Sequence, residues 1–415
     1  MNVLLHTFGC KANQYDTEAL RQRLEDAGCA IVSAAAEADA AVVNTCTVTH
    51  VGEGKMRGLV RRLARQRPGL RTVLMGCAAA VDDGRLGSLP GVAAVVPGPD
   101  GEAVARALGV RTAPPGPLRG FAGQGRAWLK VQDGCDESCT FCATVNARGA
   151  NRSRDPESLA GEAALLAERH AEIVLTGVHV GAYGRDLGAG WSLSRLVALL
   201  VDRVGEVRFR LSSVEATEVD DALVALMAER PERLAPHLHA PLQSGSDRIL
   251  RRMGRHWYSA AAYARRLEAV AARVAPLGLG ADVMVGFPGE AQADHRATMD
   301  LVRALPFSYL HVFPYSPRPG TSAPRLGAAP HPDLVRERGA ELRALAAERE
   351  AAHQAARAGG TADLVLEGRR HAHFDAVTED YLAVSVPAEE PWVLGRRRVP
   401  GRLLVRGGVL LAEAA

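Results

Sequence analysis

The run Ala127-Trp-Leu-Lys-Val131-Gln-Asp-Gly-Cys135-Asp-Glu-Ser-Cys139-Thr-Phe-Cys142 decides how the rest of the chain is read. Ala127–Val131 predicts a short buried strand, and the loop behind it carries C-x3-C-x2-C. Thiolates are soft ligands that suit iron–sulfur clusters or zinc. A structural zinc site takes four protein ligands, and no closely spaced fourth accompanies these three. Three thiolates on a cubane [4Fe–4S] cluster would leave one iron open, as a catalytic site requires. A zinc knuckle completed by a distant His or Cys stays open on spacing alone.

Working outward, further strands are expected at Glu172–Thr176, Val207–Leu211, His237–Ala240, Leu279–Val285 and Tyr309–Phe313. Helical stretches such as Pro156–Arg169, Leu193–Val204 and Tyr258–Val274 lie between them. Six such units make an incomplete barrel, since a full one needs eight. Upstream, residues 111–125 (RTAPPGPLRGFAGQG) read as a Pro/Gly linker. Before it, strands at Val3–Phe8, Ala40–Asn44 and Thr72–Met75 alternate with helices at Asp16–Ala27 and Gly52–Gln66. Downstream, a helix over Pro332–Arg357 leads to five short strand candidates: Ala362–Leu366, Phe374–Thr378, Leu382–Val386, Arg402–Val405 and Val409–Ala412. The expected class is α/β: a small parallel α/β N-terminal domain (1–112), a partial (β/α)6 TIM-like barrel (121–355) and a small C-terminal β-barrel (358–415).

The chain has 415 residues, 50 Lys+Arg against 47 Asp+Glu, and a formal net charge of +3, so bulk charge says nothing about nucleic acid. It has seven cysteines, an odd number that argues against a disulfide framework and for metal or redox chemistry. No apolar run reaches membrane-spanning length, and the first residues enter a strand without a signal core, so a cytoplasmic location and no membrane partner are expected. Cys10, Cys46 and Cys77 each follow one of the first three strands, at the strand ends where open α/β sheets bind ligands. Cys29 fits no motif and reads as a packed side chain.

C-x3-C-x2-C resembles the signature of radical S-adenosylmethionine enzymes. In that family the open iron chelates the cofactor, and one electron cleaves its sulfonium to a 5′-deoxyadenosyl radical. Runs at later strand ends support the resemblance: Thr176-Gly177-Val-His179, Ser212-Ser-Val-Glu215, Gln243-Ser244-Gly and Gly286-Phe287-Pro288-Gly-Glu. It implies Thr176, Gly177, Ser212, Glu215, Gln243, Ser244, Gly286, Phe287 and Pro288 as cofactor contacts and assigns no acid or base. Gly9-Cys10-Lys11-Ala-Asn13-Gln, Asn44-Thr-Cys46-Thr-Val-Thr49 and Met75-Gly-Cys77 are similar to the N-terminal motifs of methylthiotransferases, where three such cysteines hold an auxiliary [4Fe–4S] cluster. The tail resembles that family's RNA-binding TRAM domain. One departure is Val145, where the family usually has Pro; Arg148-Gly149 keep the pattern.

Asn44–Thr49, Thr176-Gly-Val-His-Val-Gly-Ala-Tyr183 and Leu310-His-Val-Phe-Pro-Tyr-Ser316 resemble the branch acting on N6-threonylcarbamoyladenosine 37 of tRNA. The resemblance then implies delivery of a methylthio group to C2 of that base in the tRNA anticodon loop. It also implies a sulfur donor and an electron donor such as flavodoxin or ferredoxin. Alternatives are isopentenyladenosine 37 or a ribosomal-protein aspartate as substrate, or a non-catalytic zinc-stabilised RNA-binding protein. Candidate RNA contacts are Arg61, Arg62 and Arg65, within one helical turn, and Arg396, Arg397 and Arg398 in the tail.

Overall fold

A computed structural model describes every residue except Val48, Ala189, Glu390, Leu394 and Arg396. At the amino end, β1 (Asn2–Thr7), β2 (Ala30–Val32), β3 (Ala40–Thr45), β4 (Arg71–Gly76) and β5 (Val92–Val95) form one parallel sheet in the order β2-β1-β3-β4-β5. Alternation along the strands sends Val42 and Val73 to one face and Val43 and Leu74 to the other. The first face packs the helices Lys11–Asp26 and Gly101–Leu108, the second the helix His50–Gln66. β2 and β5 were not anticipated, being only three and four residues long. The first helix begins five residues before the expected Asp16, because Cys10 is its N-cap and the turn is made at Gly9.

The central strands are β6 (Arg126–Lys130), the short antiparallel pair β7 (Gln132–Asp133) and β8 (Arg152–Ser153), then β9 (Glu172–Thr176), β10 (Arg208–Leu211), β11 (His237–His239), β12 (Gly278–Val285) and β13 (Tyr309–Pro314). Parallel sheets β10-β9-β6 and β11-β12-β13 are joined by bridges Phe209 to Leu234 and Ser213 to His239, giving a six-stranded open barrel. The expected six units are all present. Their helices pack a single large apolar core around the strands.

After the helix Pro332–Arg357, the tail forms a closed barrel of β14 (Thr361–Arg370), β15 (His373–Val377), β16 (Ala383–Pro387), β17 (Arg398–Arg406) and β18 (Val409–Ala414). It docks against the amino ends of the central strands. Glu172 there is fully buried between Arg208 Nε at 2.6 Å and Arg210 Nε at 2.8 Å. Those arginines reach on to the tail: Arg208 to the Asp363 carbonyl and carboxylate, Arg210 to the carbonyls of Thr378 and Glu379. Burial opposes ionisation of Glu172, but the flanking guanidiniums win and hold its carboxyl well below the usual range.

Candidate active site

Cys135, Cys139 and Cys142 sit on the loop framed by β7 and β8. Gly134 turns that loop with φ +72°, and a Cβ there would stand 1.8 Å from the Ala150 carbonyl oxygen, so only glycine fits. The loop is tied to the barrel by Thr140, whose amide donates to the Met253 carbonyl and whose carbonyl accepts from Ala323. Phe141 meets Phe287 edge to face at 6.4 Å. Each of two sulfurs has a cationic neighbour. His179 Nδ1 lies 3.6 Å from Cys135 Sγ, and its Nε2 is 3.0 Å from the Glu218 carboxylate. Burial works against charge on His179, yet these partners carry its pKa up to about 10. Arg255 lies 3.8 Å from Cys139 Sγ and pairs with Glu215. Burial, helped by the neighbouring Cys142 and Glu215, pushes the Cys139 thiol up to about 12 against the pull of Arg255.

The second triad is assembled by the sheet. Cys10, Cys46 and Cys77 stand immediately beyond β1, β3 and β4, and Asn13 ties these ends together. Its Nδ2 donates to the carbonyls of Phe8 at 2.8 Å and Thr45 at 3.0 Å, while Oδ1 faces the sulfurs of Cys10 at 4.0 Å and Cys77 at 3.8 Å. Gly76, at φ +95°, leaves space that a Cβ would lose, 2.2 Å from Asn44 Oδ1. Cys77 is pushed up to about 11 by burial, against the pull of Arg148.

Arg148 connects the two triads. It ends the short helix Thr144–Arg148 that follows Cys142, and its side chain is 2% exposed. Nε lies 3.2 Å from Cys77 Sγ, and the other nitrogens reach Asn13 Oδ1 at 2.6 Å, Asp16 at 2.8 Å and Asp133 at 3.0 Å. Thus a residue that follows the first loop grips one cysteine of the second triad and the Asn13 that ties the triad together. Val145 falls in the first turn of this helix, a place where proline is tolerated as well.

The donor sets fit iron–sulfur clusters better than zinc. Sulfurs on one tetrahedral zinc would lie about 3.8 Å apart, from Zn–S bonds of about 2.3 Å. Among the described residues only His239, Asp282 and His311 bring three ligand atoms within 4.8 Å of one another, so neither triad closes that tightly.

Two family models match the chain: an uncharacterized protein family, UPF0004, over residues 2–98, and the Radical SAM superfamily over 129–302. The chain is 38% identical to "Threonylcarbamoyladenosine tRNA methylthiotransferase MtaB" of Bacillus subtilis, over 78% of this chain and 75% of that one. The chain belongs to the radical S-adenosylmethionine methylthiotransferase family. It is also 37% identical to "tRNA-2-methylthio-N(6)-dimethylallyladenosine synthase" of Sorangium cellulosum, over 88% and 81% of the two chains. In fold it is similar to the radical S-adenosylmethionine methyltransferase TsrM of Kitasatospora setae, with TM-score 0.60 at 15% identity, covering 78% of this chain and 73% of that one. Methylthiotransferases of this family are transferases that use S-adenosylmethionine and two [4Fe–4S] clusters.

Of the residues expected to meet the cofactor in this methylthiotransferase, Glu215 and Phe287 reach the cysteine loop, through Arg255 and Phe141. Thr176 ends β9 and Gly177 follows it beside Gln132, whose Oε1 accepts from the amides of Val178 and His179. Gln243 has φ +62°, and its buried Oε1 finds no partner among the described residues, as fits a group kept for a ligand. Ser244 is occupied with Thr298 and the Ser246 amide. Gly286 donates to Glu290, and the Pro288 carbonyl accepts from Arg252. Ser212 instead lines a cavity in the barrel lumen.

Arg61, Arg62 and Arg65 are exposed along the helix His50–Gln66. Arg397 and Arg398 are engaged elsewhere: Arg397 donates to the Glu168 carbonyl, and Arg398 pairs with Asp363 and reaches Glu232. They hold the tail to the barrel. Arg396 lies outside the described residues. The links through Asn13, Arg148, Arg255 and His179 are not visible in the spacing of the cysteines; Asn13, Arg148 and His179 stand in quoted motifs, and Arg255 in none. Among the described residues no helix is long and apolar enough to cross a membrane.

Proposed function

We propose that this chain methylthiolates C2 of N6-threonylcarbamoyladenosine at position 37 of tRNA, giving 2-methylthio-N6-threonylcarbamoyladenosine. The observation that carries the reading is that Arg148, on the helix running on from Cys142, grips Cys77 and Asn13 of the second triad, since a base served by two reactive centres needs both held at one place. When bound, the two clusters and S-adenosylmethionine supply the one-electron chemistry, the methyl group and the sulfur. Cys135, Cys139 and Cys142 would hold one cluster, with Thr176, Gly177, Glu215, Gln243, Gly286, Phe287 and Pro288 around the cofactor. Cys10, Cys46 and Cys77 would hold the other. Residues 1–112 serve the auxiliary centre, 121–355 the radical centre, and 358–415 with Arg61, Arg62 and Arg65 the RNA. An anticodon loop offers an unstacked base without opening a duplex.

A cytoplasmic location, a flavodoxin or ferredoxin as reductant and a separate sulfur donor complete the reading. The similarity to the dimethylallyladenosine enzyme makes that nucleoside the competing substrate. Mass analysis of tRNA nucleosides from a deletion strain decides between them. Loss of the 2-methylthio derivative of threonylcarbamoyladenosine is expected; loss of the dimethylallyl derivative alone would overturn the assignment.

A further inference from the structure

Barrel interiors are ordinarily packed with Val, Ile and Leu. Here the lumen beside β11, β12 and β13 is polar. Parallel register places His239 beside Gly280 and Asp282 beside His311. Gly280 gives room for the Tyr309 ring, which a Cβ would meet at 2.0 Å. The Tyr309 hydroxyl then lies 2.9 Å from His237 Nε2 and 3.0 Å from His239 Nδ1. Asp282 Oδ1 is shared by His239 Nε2 at 3.3 Å and His311 Nδ1 at 3.2 Å, so the one carboxylate lining this space is covered by two imidazoles. What remains is a cavity of about 110 Å3 bounded by Lys11, Ser212, Ser213, His239, His311 and Tyr381, among others. That is well above the ~10–15 Å3 a single water needs.

Lys11 is the first residue of the helix capped by Cys10, and its ammonium lies 6.0 Å from the Trp128 ring. Among the described residues it forms no hydrogen bond or ion pair. Arg210, the other cation on this wall, is spent on Glu172 and on carbonyls of Thr378 and Glu379. The cavity therefore offers one uncommitted ammonium, two serine hydroxyls and an oriented imidazole, and no uncovered anion. The geometry points to this cavity as the subsite that reads the N6 substituent. Lys11 takes the threonyl carboxylate, and Ser213 and His311 hydrogen-bond its polar edge. This rests on the threonylcarbamoyl reading. A dimethylallyl group would leave the ammonium and hydroxyls without partners, which is how a polar site rejects an apolar analogue.

The test uses anaerobically reconstituted full-length enzyme and anticodon stem–loops bearing threonylcarbamoyladenosine, its methyl ester, or dimethylallyladenosine. The wild type is expected to bind the free acid at least about tenfold more tightly than the ester. Lys11→Met is expected to erase that preference with iron and sulfide per chain unchanged, and Lys11→Arg to keep most of it. His311→Gln, on β13 away from the cysteine loops, should narrow the preference about threefold and decides the matter if Lys11→Met sheds iron. Equal affinity for acid and ester in the wild type, or a preference that survives both Lys11→Met and His311→Gln, overturns the subsite. So does stoichiometric zinc bound at His239, Asp282 and His311 with the preference untouched by Lys11→Met. Conversion of the dimethylallyl stem–loop alone would instead overturn the functional reading, whereas conversion of the threonylcarbamoyl stem–loop without acid–ester discrimination overturns only the subsite.

Discussion

Cys135, Cys139 and Cys142 share a single loop, whereas Cys10, Cys46 and Cys77 follow three separate strands and meet only when β1, β3 and β4 align. The first triad is a local arrangement that short-range chain geometry already brings together. The second exists only as a consequence of tertiary structure, and Asn13 and Arg148 are the side chains that convert three strand ends into one site. The difference teaches that the two centres should respond differently to the same insult.

The largest separation is expected from the ligands themselves. Cys139→Ala should reduce deoxyadenosine formation to background while auxiliary iron is retained; Cys77→Ala should leave cleavage intact and abolish methylthiolation. Full product from the Cys77 variant would erase the distinction. Next comes Leu74→Ala, in the wholly buried interior of β4. A cost of about 2–5 kcal/mol is expected in denaturant unfolding. Auxiliary iron should fall more than radical-centre iron, and equal loss from both centres would show that the sheet is not what assembles the second triad. Arg148→Met should leave both triads able to bind iron but uncouple them, with roughly tenfold less methylthiolated product per deoxyadenosine formed.

The smallest effect concerns the seam with the tail. Arg210 and Arg208 hold Glu172 below the ordinary carboxylate range against burial, and His353 and Arg357 do the same for Asp380. Depressed folded-state values mean that this stabilisation is complete above about pH 4.5 and is lost as pH falls through the lowered values. Limited proteolysis should therefore release the tail in acid before the central barrel unfolds, and simultaneous loss of both would contradict the seam as described.

Much of this was legible in the residues. The six barrel strands and the five tail strands stand within a few residues of their expected places, because apolar runs bounded by turns mark buried strands. The strand-end position of the six motif cysteines was also readable. The edge strands β2 and β5 were not, since Ala30–Val32 is only three residues long and Val92–Val95 is half alanine, too little signal to mark a strand without the pairing. Nor was the fate of Arg397 and Arg398: a basic run looks the same whether it faces phosphate or backbone carbonyls across an interface. The polar lumen escaped for the same reason, as His237, His239, Asp282 and His311 come from three separate strands.

Iron and sulfide counted per chain in oxygen-free protein test the two-triad construction most directly. Two cubane clusters predict about eight of each, falling to about four when either set of three cysteines is replaced. Colourless protein holding zinc, or an iron content unmoved by loss of Cys10, Cys46 and Cys77, would contradict it.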